Sequence, residues 1–336
     1  MRSGIPILLG WCLALASCDS TRPHPTAPAE ESSALDAATR RTSDTWAARR
    51  PLPSARSGVQ AGRIGNIIYV VGGRNSSGSL PTLAYNISEN SWTTRRPLPS
   101  GRAGISGATP INGKLYVTGG SNSSSQLTRT LYIYDPATNT WARGANLPRA
   151  AGCGFQGAIR GLLYVYARCI GVPIVPGEHR LFRYNPATNS WATLAAPPQR
   201  HEFGPVGGAL GNRFYVGGGW FDHAPTGAMY AYNPATNTWA NRAAMPGAAN
   251  GGGHGAAFNV LGGKLYVAGG FDDSGDLWLS YLHVYDPVSN TWTRKASMPI
   301  ARTDGIGASG AGRFFVIGGS IPEEGMVTRR VDAYTP

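Results

Sequence analysis

Short stretches of alternating apolar and polar residues recur along this chain. The runs IIYVVGG (67–73), KLYVTGG (114–120), RFYVGGG (213–219), KLYVAGG (264–270) and RFFVIGG (313–319) each read as an apolar strand ending in a glycine pair. LLYVYARC (162–169) is the copy without the pair. Each run is followed by a second alternating stretch that reaches a tyrosine: YNISENSW (85–92), YDPATNTW (134–141), YNPATNSW (184–191), YNPATNTW (232–239) and YDPVSNTW (285–292). Asp or Asn before Pro makes a turn, because Pro presets φ and the Asx side chain bonds the backbone ahead. The next Asn tolerates φ > 0, and a new strand starts at Thr/Ser-Trp. A Leu-Pro or Met-Pro, often an Arg, and a small-residue stretch such as RAGISGATPIN (102–112) complete the unit. The pattern predicts four short strands per unit, a period of about 49 residues, and tryptophans at 46, 92, 141, 191, 239 and 292.

The glycine pair, the Tyr-Asx-Pro turn and the spaced Trp resemble the kelch β-propeller family over residues 43–336. The resemblance implies an all-β, six-bladed propeller with four antiparallel strands per blade. The chain stops at Tyr334-Thr335-Pro336, where an Asn-Thr-Trp strand should follow. At the other end, Ser43-Asp44-Thr45-Trp46 precedes Arg50-Pro51-Leu52-Pro53, as Trp92 precedes Pro97-Leu98-Pro99. The N-terminal strand is therefore expected to close the last blade, which removes the open sheet edges. The motif Trp and Tyr are read as buried structural aromatics.

The segment before the repeats has other chemistry. Arg2 precedes an apolar run at 5–16, too short to span a bilayer and suited to a signal peptide. Leu15-Ala16-Ser17-Cys18 resembles the lipobox of bacterial lipoproteins. That resemblance implies a signal peptide at 1–17, lipid on Cys18, and a tether through residue 42 rich in Pro, Ala, Ser and Thr. The alternative is an ordinary secretory signal cut after Ala16 or Ser17. Either way the expected location is outside the cytoplasm, in the periplasm or at the cell exterior, with no transmembrane helix left; in the lipobox reading the lipid is the only membrane attachment.

Composition narrows the function classes. Apolar residues make up 42% of the 336 and charged ones 14%, so the chain is neither disordered nor a multispan membrane protein. The net charge of +12 comes from scattered single arginines, with only Lys114, Lys264 and Lys295 as lysines. No basic run forms, so nucleic acid is not an expected partner. Cys153 and Cys169 are the only cysteines of the repeat region, and in an exported protein they read as a disulfide across one hairpin. A three-residue turn near Arg160-Gly161 would set them opposite each other, a two-residue turn would miss by one, and two free buried thiols are the alternative.

Candidate site residues fall in the loops. Arg56, Arg102 and Arg302 each stand three residues after a Pro, with Arg149 and Arg200 nearby and Asn250 in blade 5. They are expected to form a basic rim that captures carboxylate or phosphate groups; the competing reading is repeat architecture. Around blade 4, His201, Glu202, Asp222 and His223 could do acid–base work. His254 is expected to open the inner strand of blade 5 and, with Trp220, to be among the ligand-binding residues. Trp220, Phe221 and Phe271 stand outside the repeat and could stack on a ligand such as a sugar ring. The run Asp272-Asp273-Ser274-Gly275-Asp276 lacks the Glu that completes a calcium loop. No metal or cofactor is expected. Exported kelch-type sialic-acid epimerases resemble the chain in architecture but carry a Glu where one second strand ends. Here those positions are Gly73, Gly120, Cys169, Gly219, Gly270 and Gly319. The expected function is a membrane-tethered binding module for a protein segment or an anionic glycan. A carbohydrate-active enzyme using the blade 4 cluster is the alternative. Mass spectrometry of the mature N-terminus is expected to find a diacyl or triacyl cysteine at position 18; an unmodified Cys18 or cleavage elsewhere counts against the lipid.

Overall fold

The computed structural model describes residues 44–74, 80–104, 107–168, 179–201, 204–221, 224–246, 255–272, 277–322 and 327–336. Six four-stranded antiparallel sheets form the blades. In blade 1 the order from the inside outward is Ser57–Ile64, Ile67–Arg74, Thr82–Asn86 and Ser91–Arg95. The inner strands of blades 2 to 5 are Ala108–Ile111, Gly152–Ile159, Val206–Leu210 and Ala257–Leu261. Blade 6 takes Ile306–Gly310, Arg313–Ile317 and Val331–Thr335 from the C-terminal end. Its outer strand is Thr45–Ala48, with Trp46 opposite Tyr334. The closure expected from the sequence is present. Each inner strand touches the inner strands on both sides, so the six form a ring around an axis.

Antiparallel alternation gives the ring two unlike faces. Loops joining second to third strands, and fourth strands to the next first, leave at one face, here the loop face. The inner hairpins and the Tyr-Asx turns lie at the other, the turn face. All six inner hairpins close through two residues; Asn112-Gly113, Arg160-Gly161 and Ala311-Gly312 are pairs in which both residues have positive φ. Such turns match the strand twist. In blade 3 the turn is thus the shorter of the two considered, and a register shift falls between Gly152 and Phe155. Cys169 and the Cys153 side chain lie outside the described residues, as do residues 1–43.

The Tyr-Asx-Trp motif does more than fill space. Tyr85, Tyr134, Tyr184, Tyr232 and Tyr285 donate their hydroxyl to Oδ1 of Asn90, Asn139, Asn189, Asn237 and Asn290, at 2.7–2.8 Å. Each of these asparagines has positive φ. The same Oδ1 accepts a backbone N–H from the preceding blade, as from Arg96 to Asn139 at 3.0 Å and Ala145 to Asn189 at 2.7 Å. The following Trp then donates its Nε1 to the carbonyl of that same residue: Trp141 to Arg96 at 3.1 Å, Trp191 to Ala145 at 2.8 Å. At the ring closure Asp44 replaces the asparagine. It accepts from Tyr334 Oη at 2.6 Å and Ala296 N at 2.9 Å, while Trp46 reaches Ala296 O at 2.8 Å.

Apolar packing follows the same sixfold plan. Six hydrophobic clusters lie one at each blade–blade interface. A second-strand aromatic meets the next blade's motif tyrosine each time, from Tyr69–Tyr134 at 5.6 Å to Tyr164–Tyr232 at 6.3 Å between centroids. Such pairs are worth roughly 0.5–1.5 kcal/mol beyond the area they bury. Burial raises the phenol pKa of Tyr69, Tyr134 and Tyr232, and that of Tyr285 to about 12. On the loop face the glycine pair makes a second joint. Gly119 and Gly269 have positive φ, and a Cβ on either would lie 2.2 Å from Ala151 O or 2.3 Å from Arg302 O in the next blade. Only glycine admits that carbonyl.

Replacing Asn139 with Ala removes acceptors for two hydrogen bonds and strains a positive φ. A loss of about 2 kcal/mol in unfolding free energy is expected from chemical melts. Asp44 gives the clasp a pH dependence. Hydrogen bonds from Tyr334 and Ala296 hold its carboxyl below the ordinary 3.8. A group held down in the folded state contributes fully above its unfolded pKa and loses that contribution as pH falls through the folded value. Asp44→Asn should therefore flatten the acid limb of a melting-temperature profile; an unchanged limb would remove Asp44 from the account.

Candidate functional site: the axial channel and its rim

The unpaired edges of the six inner strands face the axis and enclose a cavity of 370 Å³. Small residues let these strands approach. A Cβ on Gly62 would lie 2.1 Å from Ala108 O, and one on Gly307 2.3 Å from Phe258 O. Phe155 of blade 3 and Phe258 of blade 5 meet edge to face at 5.6 Å. Gly207 of blade 4 leaves them room, since its Cβ would stand 2.8 Å from the Phe155 ring.

The polar lining is almost wholly neutral. Gln156 accepts from Thr118 Oγ1 at 2.5 Å and donates to Tyr116 O at 2.7 Å, tying blade 3 to blade 2. Asn259 donates to Gly307 O at 3.1 Å, and Ser309 donates to Val260 O at 2.7 Å, tying blade 5 to blade 6. Gln60 and Thr109 also line the cavity, and neither makes a side-chain hydrogen bond among the described residues. Arg63, at the turn-face end, is the one titratable side chain among the lining residues.

The expected basic rim is not what the repeat arginines build. Arg56 and Arg302 are 1% exposed and Arg102 is 6% exposed. Arg56 donates to Pro81 O at 2.9 Å and Ser54 Oγ at 3.1 Å. Arg102 donates to Thr130 Oγ1 at 3.2 Å and lies over the Tyr132 ring. Arg302 donates to Val316 O and pairs with Asp332, which also accepts from Arg330 Nε at 2.7 Å. The carboxylate on Arg302 is thus Asp332, which is fully buried, and not the nearby Asp304. Burial lowers the pKa of Arg56 and Arg302, with Asp332 opposing the shift at Arg302. The physical reason is the fold: the main chain at this position caps the neighbouring glycine pair, as Arg102 O accepts from Gly73 N at 2.9 Å, and the side chain is carried inward. Arg149 is exposed and Arg200 half-buried, and both have partners.

His201 also stands three residues after a Pro, in the place of the blade arginine. It is 1% exposed, and burial lowers its pKa to about 4. Neutral at ordinary pH, it donates from Nδ1 to Gly218 O at 2.6 Å, and its ring packs against Tyr166 and Tyr230. Its proposed partners Glu202, Asp222 and His223 lie outside the described residues, as do His254, Asn250 and residues 273–276. Among the described residues no group of three or more His, Cys, Asp or Glu is placed to hold a metal. Trp220 is half-buried and Phe221 is 41% exposed, in a small hairpin on the loop face with Trp220 paired to Pro225. Sequence reasoning missed the axial lining. Its signal was the run of small and neutral polar residues between each Pro and the next apolar strand.

A model described as the Kelch motif matches residues 55–99, 106–148, 204–246 and 252–299, more than half of the chain. Kelch-like protein 35 of Mus musculus is 39% identical over 77 residues, 23% of this chain and 13% of that protein. Kelch-like protein 24 of Rattus norvegicus is 28% identical over 106 residues, 32% of this chain and 17% of that protein. The chain thus spans under a fifth of these relatives' length. The solved structure titled "Structure of YjhT" superposes with a TM-score of 0.70 at 16% identity, over 84% of this chain and 95% of that one, which shows a shared fold.

Arg302→Ala should cost about 3–5 kcal/mol, because it strips a fully buried carboxylate of its main partner. Replacing Arg302 and Asp332 together with Met and Leu should cost less than the single change. A single variant that melts like the native protein would show that Arg302 is not an interior structural group.

Proposed function

The chain belongs to the kelch-repeat family, and from that premise we propose that it is a non-enzymatic binding module. It holds a protein segment at the loop-face mouth of the axial channel while lipid on Cys18 tethers it to a membrane outside the cytoplasm. Kelch domains generally mediate protein interactions. The observation that carries the reading is the axial cavity, lined from all six blades by neutral hydrogen-bonding groups and two phenyl rings. Gln60 and Thr109 are ready to bond a peptide backbone, and the exposed ring of Phe221 offers an apolar contact on the loop face. Loops on a rigid scaffold are where recognition concentrates. The inward-turned arginines favour recognition by neutral hydrogen bonds over capture of an anion at this mouth. The enzyme alternative asks His201 to exchange protons near neutral pH, against its pKa of about 4. The exported setting also supports the Cys153–Cys169 disulfide as a proposal.

A photoreactive phenylalanine at Phe221, in the full chain on native membranes, should cross-link a protein partner, and one at Val288 on the turn face should not. Gln60→Ala should weaken that capture several-fold with an unchanged melting temperature. Capture from Val288 alone, or binding only to a glycan array, would overturn the protein-segment reading. Turnover of a sugar that His201→Ala abolishes would establish the enzyme instead.

A further inference from the structure

The turn face carries a ring of cations that the channel does not explain. The second strands of blades 2, 4, 5 and 6 begin with Lys114, Arg213, Lys264 and Arg313. Blades 1 and 3 supply Arg63 and Arg160 from the same hairpin. Each blade therefore contributes one basic residue beside its inner turn. Lys114 and Lys264 are neutralised by Asp135 at 3.0 Å and Asp286 at 2.9 Å, where the third strand ends in Asp. In blades 4 and 6 the corresponding residues are Asn233 and Thr335, so no carboxylate stands across from Arg213 or Arg313.

The four arginines gather two by two. Arg160 Nε donates to Asn212 Oδ1 at 3.1 Å, which draws it onto the hairpin that carries Arg213. The stem of Arg63 lies over Gly310, whose Cβ would meet it at 2.5 Å, beside the hairpin that carries Arg313. Among the described residues the hydrogen bonds of Arg63 and Arg160 go to neutral partners, Gly65 O and Asn212 Oδ1. Among the described residues, the other acidic side chains on this face are Asp44, bonded to Tyr334, and Glu89, both on outer turns. Uniform two-residue hairpins make the face even in height. Asp44, the first described residue, lies on this face, where its N–H donates to Thr335 O at the turn of blade 6.

We propose that the turn face docks on an anionic phospholipid surface through Arg63, Arg160, Arg213 and Arg313, leaving the loop face directed away from it. The occupant follows from the charge and the evenness of the face; the vesicle-retention arm of the test rests on the lipid-anchored reading. A cation near an anionic bilayer strengthens binding by about fivefold, and salt screens the attraction.

The full chain purified from membranes would be added to vesicles of phosphatidylcholine alone or mixed with phosphatidylglycerol, and followed by co-sedimentation and hydrogen exchange. Retention on phosphatidylcholine reports the lipid anchor. Slowed exchange of the hairpin amides near 160–161, 211–213 and 311–313 with phosphatidylglycerol only, reversed by salt, reports the docking. Arg213→Glu with Arg313→Glu should abolish that protection, and Arg95→Glu, on the loop-face side of an outer strand, should leave it intact. A chain that leaves phosphatidylcholine yet still shows protected hairpins on phosphatidylglycerol removes the anchor and keeps the docking. Protection on both vesicle types, protection of the loop face instead, or equal protection by inorganic phosphate would overturn it.

Discussion

Each blade grips one residue of its neighbour by both of its main-chain polar groups, and the ring depends on that grip. An Asx oxygen takes the N–H and a Trp indole takes the C=O of the same residue, while a buried Tyr hydroxyl holds the Asx side chain in place. The bond set recurs at all six interfaces, including the one where the chain ends meet. A propeller blade has an apolar surface on both sides and cannot bury both alone, so stability belongs to the interfaces. The clasp sets the angle at which neighbouring sheets present those surfaces, and the Tyr–Trp and Tyr–Tyr contacts then fill the space between them.

The clasp also divides labour between the faces. It occupies the outer turns of the turn face, which keeps those turns short and alike. The loop face is joined by glycine pairs that need only a main-chain carbonyl from the next blade. Side chains there are free to vary, and blade 4 uses that freedom to put His201 where blades 1, 2 and 6 have arginine. A face with variable loops suits selective recognition, and an even, cationic face suits a planar anionic partner. The two readings fit one molecule because they use opposite ends of the ring.

The fold was largely legible before any coordinates, because a propeller is written in repeats. The Trp spacing, the Asx-Pro turns and the displaced strand at Trp46 gave blade number and closure. The clasp was visible only in part. Asn139 could be read as a residue that tolerates positive φ, but its bonds to Tyr134 and Arg96 span different elements. The site was the least legible. Arg56, Arg102 and Arg302 share one repeat position, and symmetry correctly made them equivalent; it could not say whether equivalent side chains point into solvent or into the blade.

What the sequence by itself determined is therefore the architecture: strand number, turn chemistry, ring order and the aromatic core, all of which follow from local periodicity repeated six times. Only the tertiary structure decided where the charges go. Arg302 is interior because Asp332 comes from a third strand thirty residues away, and Arg213 lacks a carboxylate because Asn233 stands where Lys114 has Asp135. Charge placement depends on which side chains meet across strands, and that pairing is set by register and blade packing, not by spacing along the chain.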